Sequence, residues 1–250
     1  MSDEIAARLR TFLDKARAKH KPGTDAPTPA FPGEDPVVVE LVRSFLLWEV
    51  GGGAADRAIA AIRRHAVDLN ELRVFLPDEI ASMLGEGDPR SQERAERLRA
   101  CLNDIYMREH DVRLTHLLEE GKRDTRHYVE TLDGMHPFVA ARLVLLCLGG
   151  HAFPVDSRLR DALAKARAIP PEQTPQEAAS WVERQVRAGE ALPAYLALEA
   201  LVEQQAARAT PSGRAPSRAK AGGKRPASAT ASRARKTDKP KPKPKKAADE

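Results

Sequence analysis

Residue 205 divides the chain into two kinds of polymer. From Ala206 to Glu250 there is no aromatic and no large aliphatic side chain, only Ala, Lys, Arg, Pro, Ser and Thr with a little Gly and acid. Such a stretch buries too little apolar area to offset the entropy of ordering it, so disorder is expected there. The fold must be built from roughly the first 200 residues, enough for one large domain or two small ones whose core needs no covalent staples.

Charge follows the same division. Arg208 to Glu250 carries 14 Lys/Arg against 3 Asp/Glu, leaving 27 basic and 33 acidic residues in positions 1–207. At its end Lys239, Lys241, Lys243, Lys245 and Lys246 are interleaved with prolines, giving an extended, densely cationic run. Each such cation set on a phosphate releases condensed counterions, so double-stranded DNA, gripped without sequence preference, is the expected partner of the tail. The plainer alternative is a solubilising tail with no specific partner.

The body has a helical pattern almost throughout. Ile5, Leu9, Phe12 and Leu13 mark a short first helix, and five prolines between Lys21 and Pro36 mark a linker. Val38, Leu41, Val42, Phe45 and Leu46 begin the main helical region, with stop and start signals at Gly51-Gly52-Gly53, Pro77-Asp78-Glu79 and 85–89. Further helices are expected over 90–109, 114–120, 123–132, 137–148, 157–166, 175–187 and 193–203. No alternation typical of strands occurs, so the class is all-α. The expected divisions are 1–35, an N-terminal helix and linker; 36–204, the folded domain; and 205–250, the tail.

Several classes are excluded. Met1-Ser2-Asp3-Glu4 has early charge and no apolar run behind it, so no secretory signal is expected. The longest apolar stretch, Val139 to Leu148, contains Arg142 and is roughly half the length of a membrane span. Cys101 and Cys147 are too few for a disulfide framework or a four-cysteine metal site and are expected as reduced, packed thiols. His116 and Glu120 lie one helical turn apart but lack a third metal ligand, so a solvated face is expected and no metal.

Residues 129–140, Val-Glu-Thr-Leu-Asp-Gly-Met-His-Pro-Phe-Val-Ala, form a helix end, a turn through Gly134 and a new helix near Pro137. Eighteen positions beyond Phe138, Phe153-Pro154-Val155-Asp156-Ser157 brings an apolar segment to an Asp that opens a helix. This series resembles the endonuclease III family of helix-hairpin-helix DNA glycosylases over about residues 36–203, with Phe45-Leu46-Leu47 in the first helix of the domain. The resemblance implies two all-α lobes around a cleft, damaged DNA bent across it, and one nucleotide flipped into a pocket. It implies a DNA-phosphate contact at Gly134, Met135 and His136, and Asp156 as the catalytic anion beside the sugar. A fixed carboxylate there stabilises the oxocarbenium charge that builds as a base departs, or activates a water. Asp156 is equally suited to capping the helix that follows it.

Departures from the family pattern limit what is implied. Where bifunctional members carry a nucleophilic Lys this chain has Phe138, so no Schiff-base lyase activity is expected and Phe138 is a core or pocket-wall aromatic. The second hairpin glycine is His136, which either crowds the phosphate or, partly protonated, adds a contact to it. No cysteine follows Cys147, so the family's iron–sulfur cluster is excluded and no cofactor is expected. Trp48 is either a wedge into DNA or a core aromatic continuing the Val38–Phe45 stripe. Arg158 is a phosphate ligand or a helix-face arginine, and Arg142 and Arg160 are further candidates for a basic face. The expectation is a monomeric, nucleoid-associated base-excision-repair protein of the cytoplasm (nuclear if eukaryotic), monofunctional if active. Two other readings stay open: a catalytically inactive DNA-binding module, and a helical adaptor with a nucleoid-binding tail.

Overall fold

The computed structural model describes residues 2–19, 31, 33–85 and 88–209. The tail beyond Ala209, with its lysines and expected disorder, and most of the proline-rich linker lie outside the described residues. Among those described there are eleven α-helices, one 3-10 turn and no strand. The helices are α1 (Ser2–Lys19), α2 (Pro36–Leu47), α3 (Gly52–His65), α4 (Leu69–Val74), α5 (Pro77–Leu84) and α6 (Ser91–Glu109). The 3-10 turn Thr115–Leu118 is followed by α7 (Lys122–Glu130), α8 (Pro137–Leu146), α9 (Ser157–Lys165), α10 (Pro175–Gln185) and α11 (Ala188–Ala209).

Packing sorts the helices into two groups. In one, α3 to α6 pack on one another; in the other, α1 and α9 lie on α11, with α10 against α9. Helices α2 and α8 pack together where the groups meet, α2 also touching α3 and α6 and α8 touching α7 and α11. A helix in that position needs apolar residues on nearly every side, and Val37, Val38, Leu41, Val42, Phe45, Leu46 and Leu47 of α2 are all buried. Each contributes roughly 1.5–3 kcal/mol by leaving water.

The N-terminal helix is part of this core rather than an appendage. Leu9, Leu13 and Ala16 of α1 are buried, and α1 lies along α11. The expected boundary at residue 36 also cuts through a structural joint. Asp35 caps α2, its Oδ1 accepting from Val37 N at 2.8 Å and Val38 N at 3.1 Å, while Oδ2 accepts from Leu114 N at 2.9 Å and Thr115 N at 2.8 Å. One buried carboxylate thus fixes both the start of α2 and the chain entering the 3-10 turn.

At the other end α11 begins at Ala188, not Pro193, and runs five residues past the boundary expected at 204. Pro193 removes one intrahelical donor near the start, a loss that burial of Ala191, Ala194, Tyr195 and Leu198 offsets. Beyond 204 the Ala-Ala-Arg-Ala sequence has high intrinsic helicity, which carries the helix on although residues 204–208 are exposed. No described helix is long and apolar enough to cross a membrane.

Candidate active site

The N-terminus of α9 collects the chemistry. Asp156 is 1% exposed and caps the helix, Oδ1 accepting from Leu159 N at 3.0 Å. Its Oδ2 accepts from Arg158 Nε at 2.8 Å and from Glu49 N at 3.1 Å. A carboxylate offers about four acceptor directions, so three are occupied. Glu49 answers in kind, its Oε1 accepting from Ser157 N at 3.1 Å. Two carboxylates, one buried and one half-buried, therefore share the first turn of one helix, where the exposed amides and the helix dipole favour negative charge.

The turn carrying Glu49 is held by a second acid from far along the chain. Glu203 Oε1 accepts from Gly52 N at 2.8 Å and from an Arg158 Nη at 2.9 Å, linking the start of α3, α9 and α11. Gly51, at φ +90°, passes directly over this pair: a Cβ there would lie 2.5 Å from Glu203 Oε1 and 2.7 Å from the Arg158 guanidinium. Only glycine satisfies both the backbone angle and the close approach. Glu49 also has a positive φ, +67°, although it is not glycine.

In front of Asp156 lies a cleft of about 690 Å³. Trp48, Phe138 and Phe153 supply apolar wall, and Met135, His136 and Pro137 bring the hairpin turn to its edge. Its charged lining is four carboxylates (Glu49, Glu130, Asp156, Glu183) and two guanidiniums (Arg90, Arg126). Arg126 is engaged, with Nε 2.8 Å from Glu130 and an Nη 3.0 Å from Glu183.

Trp48 is buried at this wall rather than projecting as a wedge. Its ring lies 3.9 Å from that of His136, its carbonyl accepts from Arg94 at 2.6 Å, and the Arg90 guanidinium sits 5.3 Å from the ring centroid. Phe138 is buried and lines the cleft, so it is a pocket-wall aromatic.

The hairpin differs from the expectation in its details. Gly134 has φ +71°, and a Cβ would meet Arg97 O at 2.6 Å and Ala100 Cβ at 2.8 Å. Close packing on α6 therefore demands this glycine whatever else the turn binds. Asp133 N donates to Asp104 at 2.8 Å, Met135 N to Leu132 O at 3.1 Å and Phe138 N to His136 Nδ1 at 3.3 Å, while Pro137 has no amide hydrogen. The amides of Gly134 and His136 remain without an acceptor among the described residues. The side chain of Met135 faces the cleft instead.

A partly protonated His136 is not what the structure provides. Burial and the nearby Arg97 guanidinium lower its pKa to about 4, and Nδ1 accepts from Phe138, so the ring is neutral near pH 7 with its hydrogen on Nε2. The expected basic face is also absent from its three proposed arginines. Arg142 is 4% exposed, its Nε donating to Ser44 Oγ at 3.1 Å and its Nη atoms to Glu199 at 2.8 Å, to Glu40 at 2.9 Å and to the Tyr195 hydroxyl. Arg158 is taken up by Asp156 and Glu203, and Arg160 pairs with Asp161 at 3.0 Å.

Elsewhere the thiols are free, and burial pushes that of Cys147 up to about 12. His116 lies 3.7 Å from Glu109, and no described group of three or more His, Cys, Asp or Glu could hold a metal ion. Sequence reasoning missed Glu49 and Glu203. The signal that could have found Glu49 is an acid at the end of an apolar helical stripe, two residues before three consecutive glycines.

No family model and no curated protein matches the chain. Solved structures do. A trapped endonuclease III–DNA covalent intermediate matches with TM-score 0.57 at 11% identity, over 78% of this chain and 84% of that one. The 8-oxoguanine glycosylase/lyase of Clostridium acetobutylicum, in complex with double-stranded DNA containing cytosine opposite 8-oxoG, matches with TM-score 0.57 at 15% identity, over 82% and 71%. The 3-methyladenine DNA glycosylase of H. pylori bound to 1,N6-ethenoadenine matches with TM-score 0.51 at 14% identity, over 82% and 98%. The fold is therefore that of the endonuclease III-like helix-hairpin-helix DNA glycosylases.

Proposed function

We propose that this protein is a DNA-binding protein of base-excision repair, a monofunctional N-glycosylase that hydrolyses the bond between one base and its deoxyribose. The observation that carries the reading is Asp156 at the floor of an aromatic-walled cleft of about 690 Å³, within the usual size range of ligand sites. A nucleotide turned out of the duplex would stack its base on the apolar wall and bring C1′ toward the carboxylates. Phe138 supplies no nucleophile, so the route is hydrolysis without a Schiff base. The Gly134 and His136 amides are the hairpin groups free to hold a phosphate, and Met135 borders the base. The neighbours solved with DNA support a nucleic-acid ligand. The tail lysines Lys239, Lys241, Lys243, Lys245 and Lys246 would hold the protein on duplex DNA and so at the nucleoid.

Base release from duplexes each carrying one alkylated, deaminated or oxidised base, followed by alkali to cut abasic sites, tests this. Release from at least one lesion is expected, and its absence from all of them overturns the reading. A non-catalytic DNA-binding module is the second reading. What favours it is the guanidinium of Arg158 against Asp156, which neutralises part of the field a cationic transition state would use. Under that reading lesion duplexes are bound and never cleaved.

A further inference from the structure

We infer that Glu49, rather than Asp156, is the carboxylate that activates water; this rests on the hydrolytic reading above. The two acids sit in different surroundings at one helix end. Asp156 has no side-chain exposure, and three of its acceptor directions are filled by Leu159 N, Glu49 N and Arg158 Nε. Glu49 is half-buried on the cleft, its Oε1 holds Ser157 N, and its Oε2 has no hydrogen-bond partner among the described residues. An attacking water needs an acceptor it can reach, and Oε2 is that acceptor.

The backbone supports the same division. Glu49 holds φ +67°, a region that disfavours a side chain, although three glycines stand only two residues further on. Strain of this kind persists where surrounding contacts over-determine it, and it concentrates at functional sites. Here the contacts that impose it, Glu49 N on Asp156 and Ser157 N on Glu49, aim the carboxylate at the cleft. Two-carboxylate glycoside hydrolases also give the two groups different tasks, and in the inverting ones a single carboxylate handles the water.

The step balances without a further reactant. The C1′–N bond breaks with its electron pair passing to the base nitrogen, and the water oxygen bonds to C1′. The water proton goes to Glu49, which returns it through solvent to the departed base. One water is consumed, nothing is oxidised or reduced, and the products are an abasic site and a free base.

Three proteins test it: wild type, Glu49→Gln and Glu49→Gly, each as the full chain under single-turnover conditions. Gln keeps an oxygen for Ser157 N, and Gly relaxes the strained φ, so both should fold. Loss of a general base costs about 10²–10⁴-fold in rate. We expect Glu49→Gln to lose that much release with its DNA Kd unchanged, and added formate to restore part of the release by Glu49→Gly. A Gln variant within a few-fold of wild type overturns the assignment while leaving the glycosylase standing. Equal losses of rate and affinity, or no rescue by formate, make Glu49 a binding or structural residue and also overturn it. A wild type that releases no base defeats the underlying function, and the assignment with it.

Discussion

Asp156→Asn is the obvious test of the site, and the structure gives the size of its side effect. Asn presents one oxygen and one NH2 to a place that now accepts three hydrogen bonds. With the oxygen toward Glu49 N and Arg158, the NH2 faces Leu159 N–H, which then loses its acceptor inside the protein. In the flipped arrangement the NH2 meets two donors, which is worse. The cheaper arrangement leaves the Leu159 amide buried and unpaired, a loss of about 1–3 kcal/mol that already contains the N-cap bond. For a domain of this size that corresponds to a fall in Tm of roughly 3–10 °C. Thermal unfolding followed by far-ultraviolet circular dichroism reads it directly. A Tm within about 2 °C of wild type would refute the triple acceptor role and with it the account of how α9 is anchored. Loss of base release in this variant is informative only below its own melting range, with DNA affinity intact.

Four further outcomes are expected. His136 has its pKa depressed to about 4, so the unfolded chain takes up a proton that the folded one refuses; its stability contribution is present above about pH 6.5 and lost as pH falls toward 4. His136→Asn keeps a good capping residue, and urea unfolding as a function of pH should show a shallower loss over that window. Gly134→Ala puts a methyl 2.6 Å from Arg97 O at a positive φ and should destabilise by about 2–4 kcal/mol in urea titrations, with no DNA present. Arg142→Met leaves Glu40 and Glu199 facing a buried site without their cation and should cost about 3–5 kcal/mol in the same assay. Removing residues 210–250 should weaken binding to undamaged duplex and flatten the dependence of log Kd on log salt, because each phosphate contact contributes about 0.9 to that slope; an unchanged slope would show that the tail does not touch DNA.

The helices were legible because their signals are local. Asp35 before Pro36, Thr174 before Pro175 with Glu177 following, and Asp156 before Ser157 are start signals that the structure uses as caps. The buried stripe of α2 follows from apolar spacing alone. The errors came where a local signal competed with packing. Pro193 is a good helix start, yet α11 begins five residues before it, anchored by the buried Ala191 while Ala188, Gly189 and Glu190 stay exposed. The run from 114 to 120 has helical spacing, yet it forms only the 3-10 turn Thr115–Leu118, held by Asp35 on its N-terminal side.

The site was half legible for the same reason. Asp156 and Phe138 lie on one stretch of chain, whereas Glu49 is 107 residues from Asp156 and Glu203 is 151 from Gly52. No spacing rule links partners at such separations; only the meeting of the turn between α2 and α3 with α9 and α11 does. The arginines misled most, since a guanidinium on a helix suits a phosphate and a buried carboxylate equally well. For Arg142 the distinguishing sign was present, because an arginine inside an otherwise apolar run must find acids to be buried at all. Glu40 and Glu199, each on a helix that packs against α8, are those acids. Arg158 follows the same logic behind Asp156: its charge is balanced by Asp156 and Glu203 before any DNA arrives. A cleft whose arginines are largely satisfied from within, beside four carboxylates, cannot draw in a polyanion by charge. Long-range attraction would then fall to the cationic tail, and the cleft would select by the shape and stacking of the base presented to it.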